Sequence, residues 1–148
     1  MTNNYDAILI GAGPAGSSAA TILAEKGHNV LLIEREKFPR YHVGESLLPF
    51  TFEPLKRLGL IDDMRSSSFT KKYSVQFIST SGEASQPFYF NSRYEDDVAQ
   101  TWQVLRSEFD HMLLKKARSK GANILEETQV LDLLRDGERV TGVRVRTS

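Results

Sequence analysis

Three glycines spaced G-x-G-x-x-G, set between an apolar run and a helix-forming run, constrain this chain more than any other feature. The segment reads YDAILIGAGPAGSSAATILAEKGHNVLLIERE. Ala7 to Ile10 is unbroken apolar, the pattern of a strand buried on both faces in a parallel sheet. Gly11 supplies the tight turn out of that strand, and Gly13 lets backbone approach a pyrophosphate with no Cβ in the way. Gly16 lets the next helix lie close on the strand. Pro14 suits the first helical turn, where its missing N–H is no loss, and Ala15 follows it. The helix N-terminus then presents free N–H groups and a positive dipole end to an anion. Gly27 closes the helix. A second apolar strand, Val30 to Ile33, ends in Glu34, eighteen residues after Gly16. A carboxylate at that place accepts hydrogen bonds from the hydroxyls of an adenosine ribose. Strand, glycines, helix and acid together predict a Rossmann-like unit that binds a dinucleotide, and Glu34 alone does not separate FAD from NAD.

After Glu34 the pattern turns irregular. REKFPRYHVGESLLP carries Pro39, Gly44 and Pro49 and holds no period, so it is expected as a loop. It lies past the carboxyl end of the second strand, the edge where open α/β sheets hold ligands. Ser46 is placed to cap a helical turn, with Pro54 restarting a second short piece that Gly59 closes. Further on, KKYSVQFIST alternates with Tyr73, Val75 and Phe77 on one face and reads as a strand. QPFYF and DDVAQTWQVLR supply further strands of a small antiparallel sheet over residues 69–105, inserted in the nucleotide unit. Phe88, Phe90 and Trp102 are read either as an aromatic pocket or as plain core.

LRSEFDHMLLKKARSKG predicts a helix with Ser107 and Asp110 as a capping box, Phe109, Met112, Leu113 and Ala117 as its apolar face, and Gly121 as its end. Asp110 is therefore read as structural, while Arg106 at the helix start is placed to direct its guanidinium at a diphosphate. A third parallel strand is expected at Asn123 to Leu125, then a hairpin turning at Asp136 and Gly137.

Composition removes several function classes. The 148 residues are 40% hydrophobic and 26% charged, which suits a globular domain with one core. Nineteen basic residues balance nineteen acidic ones, so no net field gathers nucleic acid or an anionic membrane. With no cysteine there is neither a disulfide nor a thiolate ligand, and His28, His42 and His111 lack metal-ligand spacing. No basic n-region or membrane-length apolar run is present, so the expected location is cytoplasmic.

GAGPAG with Glu34, then FPRYHVGESLLP, then WQVLRSEFDHMLLKKA resembles the N-terminal part of the flavin-dependent halogenases, within the wider superfamily of FAD monooxygenases. The resemblance runs from about Tyr5 to Leu125, and Gly-Glu-Ser-Leu-Leu-Pro is its most specific element. The related geranylgeranyl-reductase group typically carries a Pro-Cys-Gly-Gly type loop where this chain has Val43 to Ser46. The resemblance implies FAD as the cofactor, with Val43 and Ser46 touching it and Arg40 near its adenosine or pyrophosphate end. Arg106 matches an FAD-contacting arginine of the resembling monooxygenases. The full cofactor-binding set is then Gly11, Gly13, Pro14, Ala15, Gly16, Glu34, Arg35, Arg40, Val43, Ser46 and Arg106. Halogenases of this kind also carry a lysine in a segment like FTKKYSVQF, and matching the two phenylalanines selects Lys72. Ser74 stands where the family usually has glycine, and a shift by one would select Lys71 instead. The implied reaction uses reduced FAD from a separate flavin reductase, O2, and chloride or bromide, with the lysine guiding a hypohalous species to an electron-rich aromatic substrate. The Trp-x-Trp-x-Ile-Pro stretch of halogenases is not among these residues, so the chain is expected to be the N-terminal part of a longer protein. A monooxygenase or reductase without halide chemistry and a non-catalytic dinucleotide-binding module are the alternatives.

Overall fold

The computed structural model describes residues 4–93 and 96–147. Its elements in chain order are β1 (Ala7–Ile10), α1 (Pro14–Glu25), β2 (Val30–Ile33), α2 (Phe52–Arg57), α3 (Ile61–Ser66), β3 (Thr70–Lys72), β4 (Ser74–Val75) and β5 (Phe88–Tyr89). There follow β6 (Thr101–Gln103), α4 (Arg106–Ser119), β7 (Asn123–Leu125), β8 (Thr128–Asp136) and β9 (Arg139–Thr147). The described residues fall into two compact units. One runs up to Val43 and resumes at Arg106, and the other is Gly44–Leu105.

In the first unit β2 is the middle strand, with β1 and β7 parallel to it on either side. All four residues of β2 are buried, as a strand covered on both faces requires. β1 departs from that expectation. It is an edge strand among the described residues, and Ile10 is 57% exposed. Its apolar run marks membership of the sheet without marking burial on both faces. Ala12, Ala20, Val30 and Leu32 share one core with Phe38, Leu114, Ala117 and Ala122. Small side chains make this approach feasible: Ser17, Ala20 and Thr21 are the buried residues of α1, which packs against α4. At Gly16 the approach is closest, because a Cβ there would stand 1.9 Å from the Gly11 carbonyl oxygen. β8 and β9 form the expected hairpin, turning at Gly137 with φ of 58°.

Two readings of α4 are corrected. The helix has already begun at Arg106, so Ser107 stands in its first turn and does not cap it. The Asp110 carboxylate accepts from two arginines instead of closing a capping box. The buried stripe is Phe109, Asp110, Leu113, Leu114 and Ala117, while Met112 is half-buried.

The second unit begins with the segment around Ser46. The Leu47 N–H donates to the Trp102 carbonyl at 3.1 Å, the Val104 N–H donates to the Glu45 carbonyl at 2.8 Å, and Ser46 stands opposite Gln103. Ser46 is thus a β-bridge residue and caps nothing. The helical turn that follows, Pro49–Thr51, has Leu48 at its N-cap. On the other side of β6, β3 pairs antiparallel with Lys71 opposite Trp102 and Lys72 opposite Thr101. The single strand expected over KKYSVQFIST is broken into β3 and β4, and β4 pairs only with the two residues of β5. Phe77 and Ile78 are about 70% exposed, so nothing buried enforces a continued strand there. Phe90 and Trp102 are buried core residues while Phe88 is exposed, so the three do not line a common pocket. Phe52, Leu55, Leu60, Met64 and Phe69 are further buried residues of this unit.

Candidate functional site

The turn from β1 into α1 forms the floor of a cleft of about 560 Å3 in the first unit. Its glycine run, Gly11 to Gly16, opens directly onto it. Gly11 is held by its N–H to the Ile33 carbonyl at 2.8 Å and has φ of 96°, a conformation that disfavours a side chain. The Ser17 N–H returns to the Gly13 carbonyl at 3.0 Å, so the N–H groups of Ala15 and Gly16 precede the first intrahelical bond. Unengaged N–H donors at the positive dipole end of a helix are an arrangement that suits an anion. Ser17 Oγ donates to the Ala12 carbonyl at 3.0 Å and locks the turn from below.

Glu34 follows β2 and is 5% exposed. Its Oε2 accepts from the Ala12 N–H at 2.9 Å, and its Oε1 accepts from the Glu36 N–H at 3.0 Å. A carboxylate has about four lone-pair sites, so acceptor capacity remains for a hydroxyl beyond these two bonds. Its backbone is fixed as well, by the Leu125 carbonyl at 2.8 Å and the Thr128 N–H at 2.9 Å.

Arg40 crosses from Glu34 to α4. Its Nε lies 3.7 Å from Glu34 Oε2, its Nη1 donates to Asp110 Oδ2 at 3.2 Å, and its guanidinium stacks 4.7 Å above the Phe38 ring. Its Nη2 lies 3.7 Å from the point where a Gly13 Cβ would stand, which puts the guanidinium edge beside the glycine turn. Arg106 forks onto the same acid, Nε to Oδ1 at 2.7 Å and Nη2 to Oδ2 at 2.9 Å, and its Nη1 donates to the Val43 carbonyl at 2.6 Å. The hydrogen bond to Asp110 raises the Arg106 guanidinium above its ordinary value, burial opposes this, and the carboxylate charge adds to it. It is a cation at every pH the protein meets.

The sequence candidates Gly11, Gly13, Pro14, Ala15, Gly16, Glu34, Arg35, Arg40 and Arg106 all line this one cleft. Val43 is not among its lining residues, and its carbonyl accepts from Arg106 Nη1. Ser46 and Lys72 belong to the other unit, where Lys72 Nζ donates to Ser46 Oγ and lies 3.4 Å from the Leu47 carbonyl. Lys71 is exposed and Lys72 half-buried. Sequence reasoning missed His42, Thr128, Gln129 and Val130 as cleft residues, and it missed Asp110 as the partner of both arginines. The start of β8 supplies Thr128, Gln129 and Val130, the loop after Arg40 supplies His42, and no local motif marks either. Among the described residues no cluster of His, Asp or Glu could hold a metal ion, and no helix is long and apolar enough to cross a membrane.

Residues 4–148 match the family described as the FAD binding domain. The chain is 37% identical over 139 residues to a 1H-pyrrole-2-carbonyl-[peptidyl-carrier protein] brominase of Pseudoalteromonas luteoviolacea, covering 94% of this chain and 32% of that one. It is 39% identical over 130 residues to the flavin-dependent halogenase armH4 of Armillaria mellea, covering 86% of this chain and 24% of that one. Among solved structures it superposes on the myxobacterial chondrochloren halogenase CndH with a TM-score of 0.90 and 42% identity, over 97% of this chain and 33% of that one. The chain thus spans between about a quarter and a third of the relatives it matches. With the glycine turn, the Glu34 acceptor and three arginines around one cleft, and with the family matched over nearly its whole length, this chain belongs to the FAD binding domain family.

Proposed function

We propose that the chain is the FAD-holding part of a flavin-dependent halogenase acting on a small aromatic compound. The cleft carries this reading: backbone N–H donors at the start of α1, an acid at the end of β2 and three guanidiniums line one concavity. That donor set suits a dinucleotide diphosphate, and Gly13 leaves open the volume that a side chain would fill. In this assignment Gly11, Gly13, Pro14, Ala15 and Gly16 form the diphosphate cradle, and Glu34 takes the ribose hydroxyls. Arg35, Arg40 and Arg106 bring guanidinium groups to the diphosphate, and Val43 and Ser46 border the flavin end. Similarity to proteins named as halogenases and a brominase favours halide chemistry over other flavin reactions.

Reduced FAD, when bound, supplies the two electrons with which O2 and halide give a hypohalous acid and water. The chain's own part is to bind, orient and exclude water. Lys72 has three N–H donors, of which Ser46 Oγ and the Leu47 carbonyl engage two. The third is assigned to the oxygen of the hypohalous acid, directing the halogen to the aromatic carbon, from which the displaced proton leaves. A separate flavin reductase is the expected electron source.

The test uses the full chain with FAD, a flavin reductase, NADH, O2 and bromide, and an electron-rich phenol or pyrrole as probe. Bromide-dependent mass gain that Lys72→Ala abolishes while FAD still binds supports the proposal. Oxygenated product independent of bromide would establish a monooxygenase, and FAD binding without turnover would leave only a nucleotide-binding module.

A further inference from the structure

Asp110 is completely buried, yet its carboxylate serves two arginines that line the cleft. Arg40 reaches it from a loop seventy residues earlier in the chain, and Arg106 from one turn earlier on the same helix. Three hydrogen bonds of 2.7 to 3.2 Å converge on its two oxygens. Two guanidiniums held close together repel, and free side chains of this length would swing apart into solvent. A carboxylate between them removes the repulsion, and the fork from Arg106 fixes that guanidinium in orientation as well as position. Glu34, Arg40, Asp110 and Arg106 therefore form an alternating chain of charges whose sum is zero. Such a set gathers no anion by net charge, so its use lies in geometry.

We propose that Asp110 is a positioning residue that holds Arg40 and Arg106 at the cleft wall as a preformed receptor for the diphosphate of the cofactor. The proposal rests on the reading of the cleft as an FAD site and adds to it a part for an acid that contacts no ligand itself. It also predicts a sign opposite to charge counting. Replacing Asp110 by Asn adds one positive charge near the diphosphate, and by charge alone the anion would bind more tightly. If positioning governs, the guanidiniums lose their common anchor and the anion binds more weakly.

The experiment compares the wild-type full chain with Asp110→Asn and Asp110→Glu, using FAD, ADP and adenosine as ligands, with circular dichroism to confirm folding. Asp110→Asn is expected to weaken FAD and ADP about tenfold, the loss of a charge-assisted hydrogen bond, while adenosine changes by less than about twofold. Asp110→Glu retains the charge and displaces it by one methylene, so it should show the same diphosphate-selective loss to a smaller degree. A merely structural role would weaken adenosine in parallel and overturn the proposal, as would FAD or ADP binding unchanged or tighter in a folded Asp110→Asn. Should Asp110→Asn fail to fold, the ADP-to-adenosine ratio of Asp110→Glu decides by the same rule. A wild-type chain that binds no FAD removes the flavin reading itself, and this inference with it.

Discussion

Replacing Gly16 by Ala inserts a Cβ 1.9 Å from the Gly11 carbonyl oxygen and 3.4 Å from Leu32 Cδ1. Contacts to a Cβ shorter than 3.0 Å do not occur, so α1 and the β1 turn must separate by at least about 1.1 Å. The obstacle is backbone, and no side-chain rotation relieves it. The shift would open the core that α1 shares with Val30, Leu32 and Leu114. Overpacking of this kind costs roughly 1–3 kcal/mol, occasionally more, and a main-chain obstacle argues for about 3 kcal/mol. For a chain of this size that lowers Tm by about 6–12 °C. Gly13→Ala is the matched control. There the new Cβ meets only Arg40 Nη2, at 3.7 Å, and the backbone at φ of −70° accepts Ala readily. Its stability should stay within about 1 kcal/mol of wild type while its methyl group stands at the mouth of the diphosphate cradle. The assay is thermal melting with and without FAD, alongside FAD titration by fluorescence quenching. We expect Gly16→Ala to lose stability and FAD together, and Gly13→Ala to lose FAD alone. If Gly16→Ala melts within 2 °C of wild type, on the order of the melting shift per kcal/mol, the close approach of α1 is wrong.

Ser17→Ala removes a buried hydroxyl that donates to the Ala12 carbonyl, and urea unfolding should show a loss of about 1 kcal/mol. His111 is held below the ordinary imidazole value, first by burial and then by the Lys115 charge, with Glu126 opposing and Arg118 adding to the depression. The unfolded chain therefore binds the proton more readily, so stability is full above about pH 6.5 and falls as pH drops toward the folded value. His111→Gln should flatten that decline between wild-type and variant curves measured at pH 7.5 and 5.5, and parallel curves would contradict it. Ser46→Ala removes one acceptor of the Lys72 ammonium, so under the proposed halogenase reading the rate of bromide-dependent product should fall, and an unchanged rate would show that Ser46 does not support Lys72.

How much of this was legible beforehand depended on how local the deciding interaction is. The unit from Ala7 to Glu34 was readable because its glycines, helix and acid act within one short segment, and the hairpin because Gly137 adopts the positive φ that its turn needs. The strand through Tyr73 and Phe77 was misread because alternation in an exposed segment has no burial to enforce it. Asp110 looked like a helix-cap acid because Ser107 stands three residues before it. A buried guanidinium from residue 40 outweighs that local pattern, and nothing near residue 110 announces its arrival. The same holds for Ser46, whose strand-like pairing is set by Gln103 rather than by the residues that follow it.

The chain leaves the nucleotide unit after Val43 and returns at Arg106, and the hydrogen bond from Arg106 Nη1 to the Val43 carbonyl ties departure and return together at 2.6 Å. An excursion whose two ends meet pulls on nothing when its contents change, and doubling its length adds only about 0.6 kcal/mol of closure cost. Gly44–Leu105, the excursion that bears Ser46 and Lys72, can thus change in length at little closure cost to the dinucleotide holder.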